Sequence, residues 1–131
     1  MENKIEKKLI ALVEDDRILS DAIYGGLKDA EFEVDRAFDG EEGLAMVLAK
    51  KPDIVLLNIL IPKMDGLTVA KKLKSNPETK HIPIIILTVL EKSESVAEAL
   101  ESGVYEYIVK SNFKVKDIVK RVQEHFTGAS L

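Results

Sequence analysis

The sequence predicts an α/β domain in which a five-stranded parallel sheet carries helices on both faces. Five short apolar or alternating runs alternate strictly with five segments of helical periodicity, and the connections between them are short. Apolar residue types make up 46% of the 131 residues and charged types 32%, the balance of a globular protein with a buried core. This length fits one domain, which we expect to span residues 1–131 with its core at about 8–127.

The five predicted strands differ in how deeply they are buried. Leu9–Val13, Ile54–Leu57 and Ile84–Leu87 are continuous apolar runs, as expected of strands that are covered on both faces. Phe32–Ala37 alternates apolar and charged residues and fits a strand nearer the sheet edge. The fifth strand is predicted at Tyr105–Val109. Helices on both faces of the sheet must therefore cover its central strands.

Helical periodicity fills the segments between the strands. The five apolar series run, in chain order, from Ile18 to Leu27, Leu44 to Leu48, Leu67 to Leu73, Val96 to Leu100 and Ile118 to Phe126. Asp16, Asp39 and Asp65 supply N-terminal capping signals for the first three helices. Gly25 and Gly26 fit poorly inside the first helix, because each costs about 1 kcal/mol relative to alanine. That helix is therefore either closely packed at the two glycines or locally weak.

Composition narrows the functional classes. The chain has no cysteine, which excludes thiol catalysis and Cys-based zinc sites, and its net charge of −4 argues against direct nucleic-acid binding. His81 and His125 have no acidic partners at metal-ligand spacing and are expected at the surface. Residues 1–8 are highly charged and no apolar stretch reaches the roughly 18 to 20 residues that span a bilayer. We therefore expect a cytoplasmic protein without a membrane partner.

Polar side chains stand at the C-terminal ends of four predicted strands. In open parallel sheets, ligands bind at this edge. The residues there are the acids Glu14 and Asp15, then Asn58, Thr88 and Lys110. Carboxylates suit Mg²⁺, whereas lysine and threonine suit phosphoryl oxygens. Each residue alone has an ordinary structural explanation, and only their convergence favours a site for a divalent cation and a phosphoryl group.

These segments resemble the receiver domain of bacterial two-component response regulators. Val13–Asp16 is similar to the acidic segment of that family, and Leu56–Gly66 is similar to the segment around its phosphoacceptor aspartate. Ile84–Thr88 and Gly103–Lys110 match its fourth and fifth strands, with their hydroxyl residue and lysine. The resemblance covers about residues 9–126. It implies a flavodoxin-like (βα)5 fold, doubly wound, with strand order 2-1-3-4-5.

The resemblance also implies roles for the polar residues. Glu14 and Asp15 would hold Mg²⁺ together with the backbone carbonyl of Leu60, and residue 58 would complete the metal site. Thr88 and Lys110 would bind phosphoryl oxygens, and Tyr107 would be the aromatic residue that turns inward when Thr88 moves. A sensor histidine kinase or a phosphotransfer protein would be the phosphoryl donor. The fourth helix, fifth strand and fifth helix would form the face that a downstream protein or a second copy binds.

The main departure from the family is Asn58, which stands where receivers carry the phosphorylated aspartate. A carboxylate oxygen can attack a phosphoryl group and a neutral amide cannot, so we expect no phosphorylation at residue 58. Mg²⁺ should bind more weakly, because the site keeps only a neutral amide oxygen there. The metal-free chain should be more stable than Asn58→Asp, because one of three clustered carboxylates is missing.

Two explanations of Asn58 remain open. It is either a substitution that holds an ordinary receiver in its unphosphorylated state, or the native residue of a pseudo-receiver that binds proteins without phosphate. The intact Asp15, Thr88 and Lys110 favour the first explanation.

Two further positions bear on the site. Many receivers have proline after the lysine, joined by a cis bond, whereas this chain has Ser111, for which a trans or strained bond is expected. Leu60 and Leu90 would flank the pocket mouth, and in Asn58→Asp they should slow attack by water on the phosphoryl group.

The sequence thus favours a stand-alone, non-enzymatic receiver, since five residues follow Phe126. A flavodoxin-like enzyme or nucleotide-binding domain would need a phosphate-binding loop after the first strand, where Glu14, Asp15 and Asp16 would repel phosphate unless a metal intervened. A phosphatase or phosphotransferase with an aspartyl nucleophile is excluded because residue 58 is not an acid.

Overall fold

Five parallel strands form a single sheet in the computed structural model, which describes residues 7–89, 97, 98, 101 and 103–128. The sheet has the order β2-β1-β3-β4-β5, which confirms the predicted α/β class and the strand order that the resemblance implied. The strands are β1 (Leu9–Val13), β2 (Glu33–Ala37), β3 (Ile54–Asn58), β4 (Ile84–Thr88) and β5 (Glu106–Val109).

Four helices flank the sheet in the described part of the chain. They are α1 (Arg17–Asp29), α2 (Gly40–Lys50), α3 (Gly66–Ser75) and α4 (Val115–Thr127), and a short 3-10 turn at Lys110–Asn112 follows β5. The helix predicted at Val96–Leu100 lies outside the described residues except for Ala97 and Glu98, which are helical, so α4 is the fifth helix of the sequence prediction. No described helix is both long enough and apolar enough to cross a membrane.

Aspartate side chains cap the first three helices, as predicted. Asp16 Oδ1 accepts hydrogen bonds from the backbone N–H groups of Ile18 and Leu19 at 3.1 and 3.2 Å. Asp39 caps α2 and Asp65 caps α3 in the same way. An oxygen at this position satisfies backbone donors that have no partner inside the helix. The caps fix where each helix begins relative to the strand before it.

The core has one apolar layer on each face of the sheet. Successive residues of a strand point to opposite faces, so Leu57 of β3 packs in the layer that contains α2 and α3 residues. Its neighbour Leu56 packs in the layer that contains α1 and α4 residues. All five residues of β3 and all five of β4 are buried, which is why their sequences are continuously apolar until the final polar residue.

The two glycines of α1 have different environments. A Cβ atom at Gly26 would lie 2.9 Å from Cγ2 of Val119, so α1 and α4 approach each other too closely there for a side chain. A Cβ atom at Gly25 would meet nothing within 4 Å. Close packing therefore explains Gly26, and nothing in the structure explains Gly25.

His125 is not the surface histidine that the sequence predicted. Its ring lies edge-on to the rings of Tyr105 and Phe126, with centroids 4.7 and 4.9 Å away, and it is half-buried in the last turn of α4. Burial lowers its pKa below the ordinary value of 6.5. The prediction failed because Tyr105 comes from the segment before β5, which sequence spacing does not relate to α4. His81 is exposed, as predicted.

Candidate functional site

Parallel pairing brings the polar strand ends to one edge of the sheet. In the register, Val13 pairs with Leu57, so Glu14 follows β1 directly beside Asn58 at the end of β3. Thr88 pairs with Val109, so Lys110 leaves β5 beside the end of β4. The predicted site residues that the structure describes therefore meet where the sequence analysis expects them.

The amide group of Asn58 lies at the centre of this edge. Its Nδ2 donates to Oε2 of Glu14 at 3.1 Å and to Oδ1 of Asp15 at 3.2 Å, and it lies 3.4 Å from the carbonyl oxygen of Leu60. Its Oδ1 accepts the backbone N–H of Leu60 at 3.3 Å. Only 5% of Asn58 is exposed. The amide therefore presents its donor side to the acidic pair.

The sequence analysis predicts that Asn58 supplies an oxygen to a metal; in this structure its amide nitrogen faces Glu14 and Asp15. An amide oxygen turned toward two carboxylates would be repelled, so electrostatics place the N–H donors there. Glu14, Asp15 and the Leu60 carbonyl are oxygen donors of the type that Mg²⁺ takes, and they would hold it. In the described ranges, no group of three or more His, Cys, Asp and Glu side chains is arranged to hold a metal. The oxygen atoms of this site are of the type that binds Mg²⁺, but the amide nitrogen of Asn58 lies between them.

A buried ion pair joins Glu14 to Lys110. Oε1 of Glu14 lies 2.6 Å from Nζ of Lys110, whose side chain is 16% exposed, and the Glu14 side chain is fully buried. Oε2 of Glu14 also accepts the backbone N–H of Asp16 at 3.1 Å. A buried carboxylate needs such partners, because an unpaired charge is costly away from water. The sequence analysis did not predict this pair; the available signal was that a neutral residue 58 leaves Lys110 the acids that directly follow β1.

The predicted switch residues Thr88 and Tyr107 are in contact. Thr88 is fully buried at the end of β4, and a side-chain hydrogen bond joins it to Tyr107. Burial raises the pKa of the Tyr107 hydroxyl, and the bond to Thr88 partly offsets this effect. Tyr107 is half-buried and packs against the layer that contains α2 and α3 residues. Its ring therefore links the site to the core.

The loop after β3 is held against the strand end by Gly66. A Cβ atom there would lie 2.2 Å from the carbonyl oxygen of Asn58, and the Gly66 N–H donates to the Ile59 carbonyl at 2.8 Å. Burial would raise the pKa of the neighbouring Asp65, but hydrogen bonds from the backbone and side chain of Thr68, together with those from the backbone of Leu67 and of Asp65 itself, hold that pKa below its ordinary value. The sequence analysis places Asp65–Gly66 at a helix start and within the segment that resembles the phosphoacceptor region, but it does not predict that the Gly66 backbone packs against the Asn58 carbonyl.

Exposed apolar side chains follow β3 and β4 at the polar edge of the sheet. Leu60 is 54% exposed and Val89 is 60% exposed. Leu90, the second residue predicted at the mouth, lies outside the described residues. Every peptide bond in the described segments is trans, including the bond between Lys110 and Ser111. This agrees with the trans alternative that was expected for serine.

Comparison with known proteins identifies the family. The sequence model of the response regulator receiver domain matches residues 10–123. The DNA-binding dual master transcriptional regulator RpaA of Synechocystis is 32% identical over 114 residues, which cover 87% of this chain and 47% of RpaA. The transcriptional regulatory protein DltR of Streptococcus agalactiae is 35% identical over 123 residues, which cover 93% of this chain and 53% of DltR. The chain thus spans about half the length of these relatives.

Solved structures show the same architecture. The chemotaxis protein CheY4 of Vibrio cholerae superposes with a TM-score of 0.83 at 26% identity, over 91% of this chain and 98% of that one. This likeness agrees with the fold and the strand order described above. The chain belongs to the response regulator receiver domain family of two-component signalling.

Proposed function

We propose that this chain is a receiver whose phosphorylation switch is disabled at residue 58 and which acts on other proteins in its unphosphorylated form. Receiver domains are signalling switches rather than classical enzymes, and we propose no enzymatic activity for this chain. The observation that carries the proposal is the Asn58 amide, whose nitrogen donates hydrogen bonds to Glu14 and Asp15.

The chemistry of residue 58 supports this function. Phosphoryl transfer to a receiver needs a carboxylate oxygen with a free lone pair and negative charge. The amide offers only N–H donors on the side of the acids, and its neutral oxygen is occupied by the Leu60 N–H. In the Asn58→Asp variant, Lys110 and Thr88 would bind the phosphoryl oxygens, and Leu60 and Leu90 would restrict water at the mouth.

Mg²⁺ is the expected cofactor of the phosphorylation step. In the Asn58→Asp variant, Glu14, Asp15 and the Leu60 carbonyl would hold the ion with the new carboxylate. The ion would supply positive charge that balances the phosphoryl oxygens. In the parent chain we propose that its binding is weakened.

Response regulators interact with histidine kinases and with downstream effectors. For this chain we propose a sensor histidine kinase or a phosphotransfer protein as the upstream partner. We propose the face formed by the predicted fourth helix, β5 and α4 as the surface for a downstream protein, in the cytoplasm. The same face could instead bind a second copy of the chain, and a measurement of molecular mass in solution tests this self-association.

The proposal is tested by intact mass after incubation with Mg²⁺ and acetyl phosphate. We expect Asn58→Asp to gain one phosphoryl group and the parent chain to gain none. The double variant Asn58→Asp with Lys110→Ala is the matched control, because it keeps the acceptor but removes the cation of the pocket. A phosphoryl group on the parent chain would contradict the assignment of residue 58.

A natural pseudo-receiver is the second candidate. The hydrogen bonds of Asn58 favour it, because the amide satisfies the pocket without a third charge. This candidate predicts that Asn58→Asp gains no phosphoryl group, or gains one without a change in partner binding. A pull-down with the phosphorylated and unphosphorylated variant separates the two candidates.

A further inference from the structure

We propose that the Asn58 amide occupies the place of the divalent cation, so that it competes with Mg²⁺ instead of binding it. This inference rests on the proposed pocket assignment and deepens it. It concerns which atom of residue 58 faces the acidic pair and what must move before an ion can enter.

The three oxygens around Nδ2 are the ones that a metal would use. Nδ2 lies 3.1 Å from Glu14, 3.2 Å from Asp15 and 3.4 Å from the carbonyl oxygen of Leu60. A primary amide has two N–H donors and no charge. It can therefore link the carboxylates and relieve part of their repulsion, which is the role a cation would otherwise have at this position.

The other half of the amide is also held. Oδ1 accepts the Leu60 N–H at 3.3 Å. Turning the amide by half a rotation would bring Oδ1 toward the carboxylates and Nδ2 toward the Leu60 N–H. That arrangement sets acceptors against acceptors and a donor against a donor, and a buried polar group without a partner is destabilising.

An entering ion must therefore displace the amide before it meets the oxygens. The ion gains no charged ligand from residue 58 in return. Removing the amide should then improve Mg²⁺ binding, although it also removes an oxygen that could have been a ligand. This expectation is opposite to the one for an ordinary oxygen ligand, whose removal weakens binding.

The test is calorimetric titration of Mg²⁺ into five chains: the parent, Asn58→Ala, Asn58→Asp, Asn58→Ala combined with Asp15→Asn, and the control Asn76→Ala. We expect Asn58→Ala to bind about three- to tenfold more tightly than the parent, the range that loss of competing hydrogen bonds corresponds to. Asn58→Asp should bind most tightly of all. Asn76→Ala, outside the pocket, should bind as the parent does.

Each outcome decides a different claim. Weaker binding by Asn58→Ala than by the parent would overturn the competition and make the amide a ligand. Equal binding by Asn58→Ala with and without Asp15→Asn would also overturn it, because the ion would then be elsewhere. If Asn58→Asp does not bind Mg²⁺, the proposed pocket assignment fails and the inference fails with it.

A measurement on the parent chain avoids dependence on folding of the alanine variant. Nuclear magnetic resonance follows the side-chain amide of Asn58 during Mg²⁺ addition. Competition predicts that both amide proton signals shift toward the positions of a solvent-exposed amide as the site fills. Saturation of the site without movement of these signals would refute the competition.

Discussion

The side chain of Asn58 donates N–H hydrogen bonds to Glu14 and Asp15. If the amide is replaced by a carboxylate, this attractive contact becomes a repulsive contact between like charges. The acids lie within about 3 Å of the amide nitrogen, close enough for strong repulsion by an added negative charge. Lys110 already pairs with Glu14 at 2.6 Å, so its positive charge is engaged before a carboxylate is added at residue 58.

We therefore expect the Asn58→Asp variant to be less stable than the parent when no metal is present. The loss should be about 1–3 kcal/mol, because two hydrogen bonds to charged groups are replaced by like-charge contacts. Thermal unfolding in EDTA measures it as a midpoint several degrees lower. Asn76→Asp is the control, since the side-chain oxygen of Asn76 accepts the Glu78 N–H and an aspartate oxygen can accept it equally. Equal midpoints for Asn58→Asp and the parent would remove the repulsion argument.

The sequence predicts which residue types meet at this edge, but not which atoms face each other. Strand register follows from apolar runs, and it is enough to bring Glu14, Asn58 and Lys110 together. The orientation of the Asn58 amide depends on competition among nearby charges and on the Leu60 N–H. The Lys110–Glu14 pair depends on the same competition. Neither is encoded in spacing, so both had to come from the structure.

At the scale of elements, α1 offers a matched pair of substitutions. Gly25→Ala should stabilise the protein by about 0.5–1 kcal/mol, because a methyl group there meets no neighbour and alanine restricts the unfolded chain. Gly26→Ala should destabilise it, because its methyl group would press on Val119 of α4. Urea unfolding of both variants measures the change in the free energy of unfolding, which should be an increase for Gly25→Ala and a decrease for Gly26→Ala. Stabilisation by Gly26→Ala would mean that α1 and α4 can separate at no cost.

The last turn of α4 gives a prediction about pH. Burial lowers the pKa of His125, so the unfolded chain binds a proton at a higher pH than the folded chain does. The stability contributed by neutral His125 is therefore present above its ordinary pKa of 6.5 and falls as pH drops below that value. His125→Gln should flatten the fall in stability between neutral and mildly acidic pH.

The matched control for this prediction is His81→Gln, which removes an exposed histidine. Unfolding free energies at a series of pH values compare the two variants with the parent. An unchanged pH dependence in His125→Gln would show that the ring contacts with Tyr105 and Phe126 do not exclude the proton.

At the scale of the whole molecule, β3 couples the two apolar layers. Leu56 and Leu57 are fully buried neighbours that point into opposite layers. Each change to alanine should cost about 2–5 kcal/mol. We propose that residues 8–127 unfold as one unit, in which case both variants shift a single transition. Urea unfolding followed by circular dichroism and by tyrosine fluorescence tests this, and two separate transitions in either variant would contradict it.

The alternation of strand-like apolar runs with segments of helical periodicity predicts the α/β class from the residues alone, because each pattern reflects whether a segment is buried on one face or on two. It does not predict strand order, since several doubly wound orders have the same alternation. The order 2-1-3-4-5 follows from the family resemblance, which is carried by Leu56–Gly66 and by the match of Ile84–Thr88 and Gly103–Lys110 to the fourth and fifth strands of receivers. Neither the residue pattern nor the resemblance predicts long-range packing such as that of Gly26 against Val119, because this packing depends on how closely two helices approach.

The bond between Tyr107 and Thr88 gives this protein its own optical reporter. The chain has three tyrosines and no tryptophan, so its near-ultraviolet signal comes mainly from phenol rings. Burial raises the pKa of Tyr107, and its side chain is hydrogen-bonded to Thr88 of the pocket. Absorbance during an alkaline titration therefore contains a component that senses residue 88, and a Tyr107→Phe chain identifies that component without any added dye.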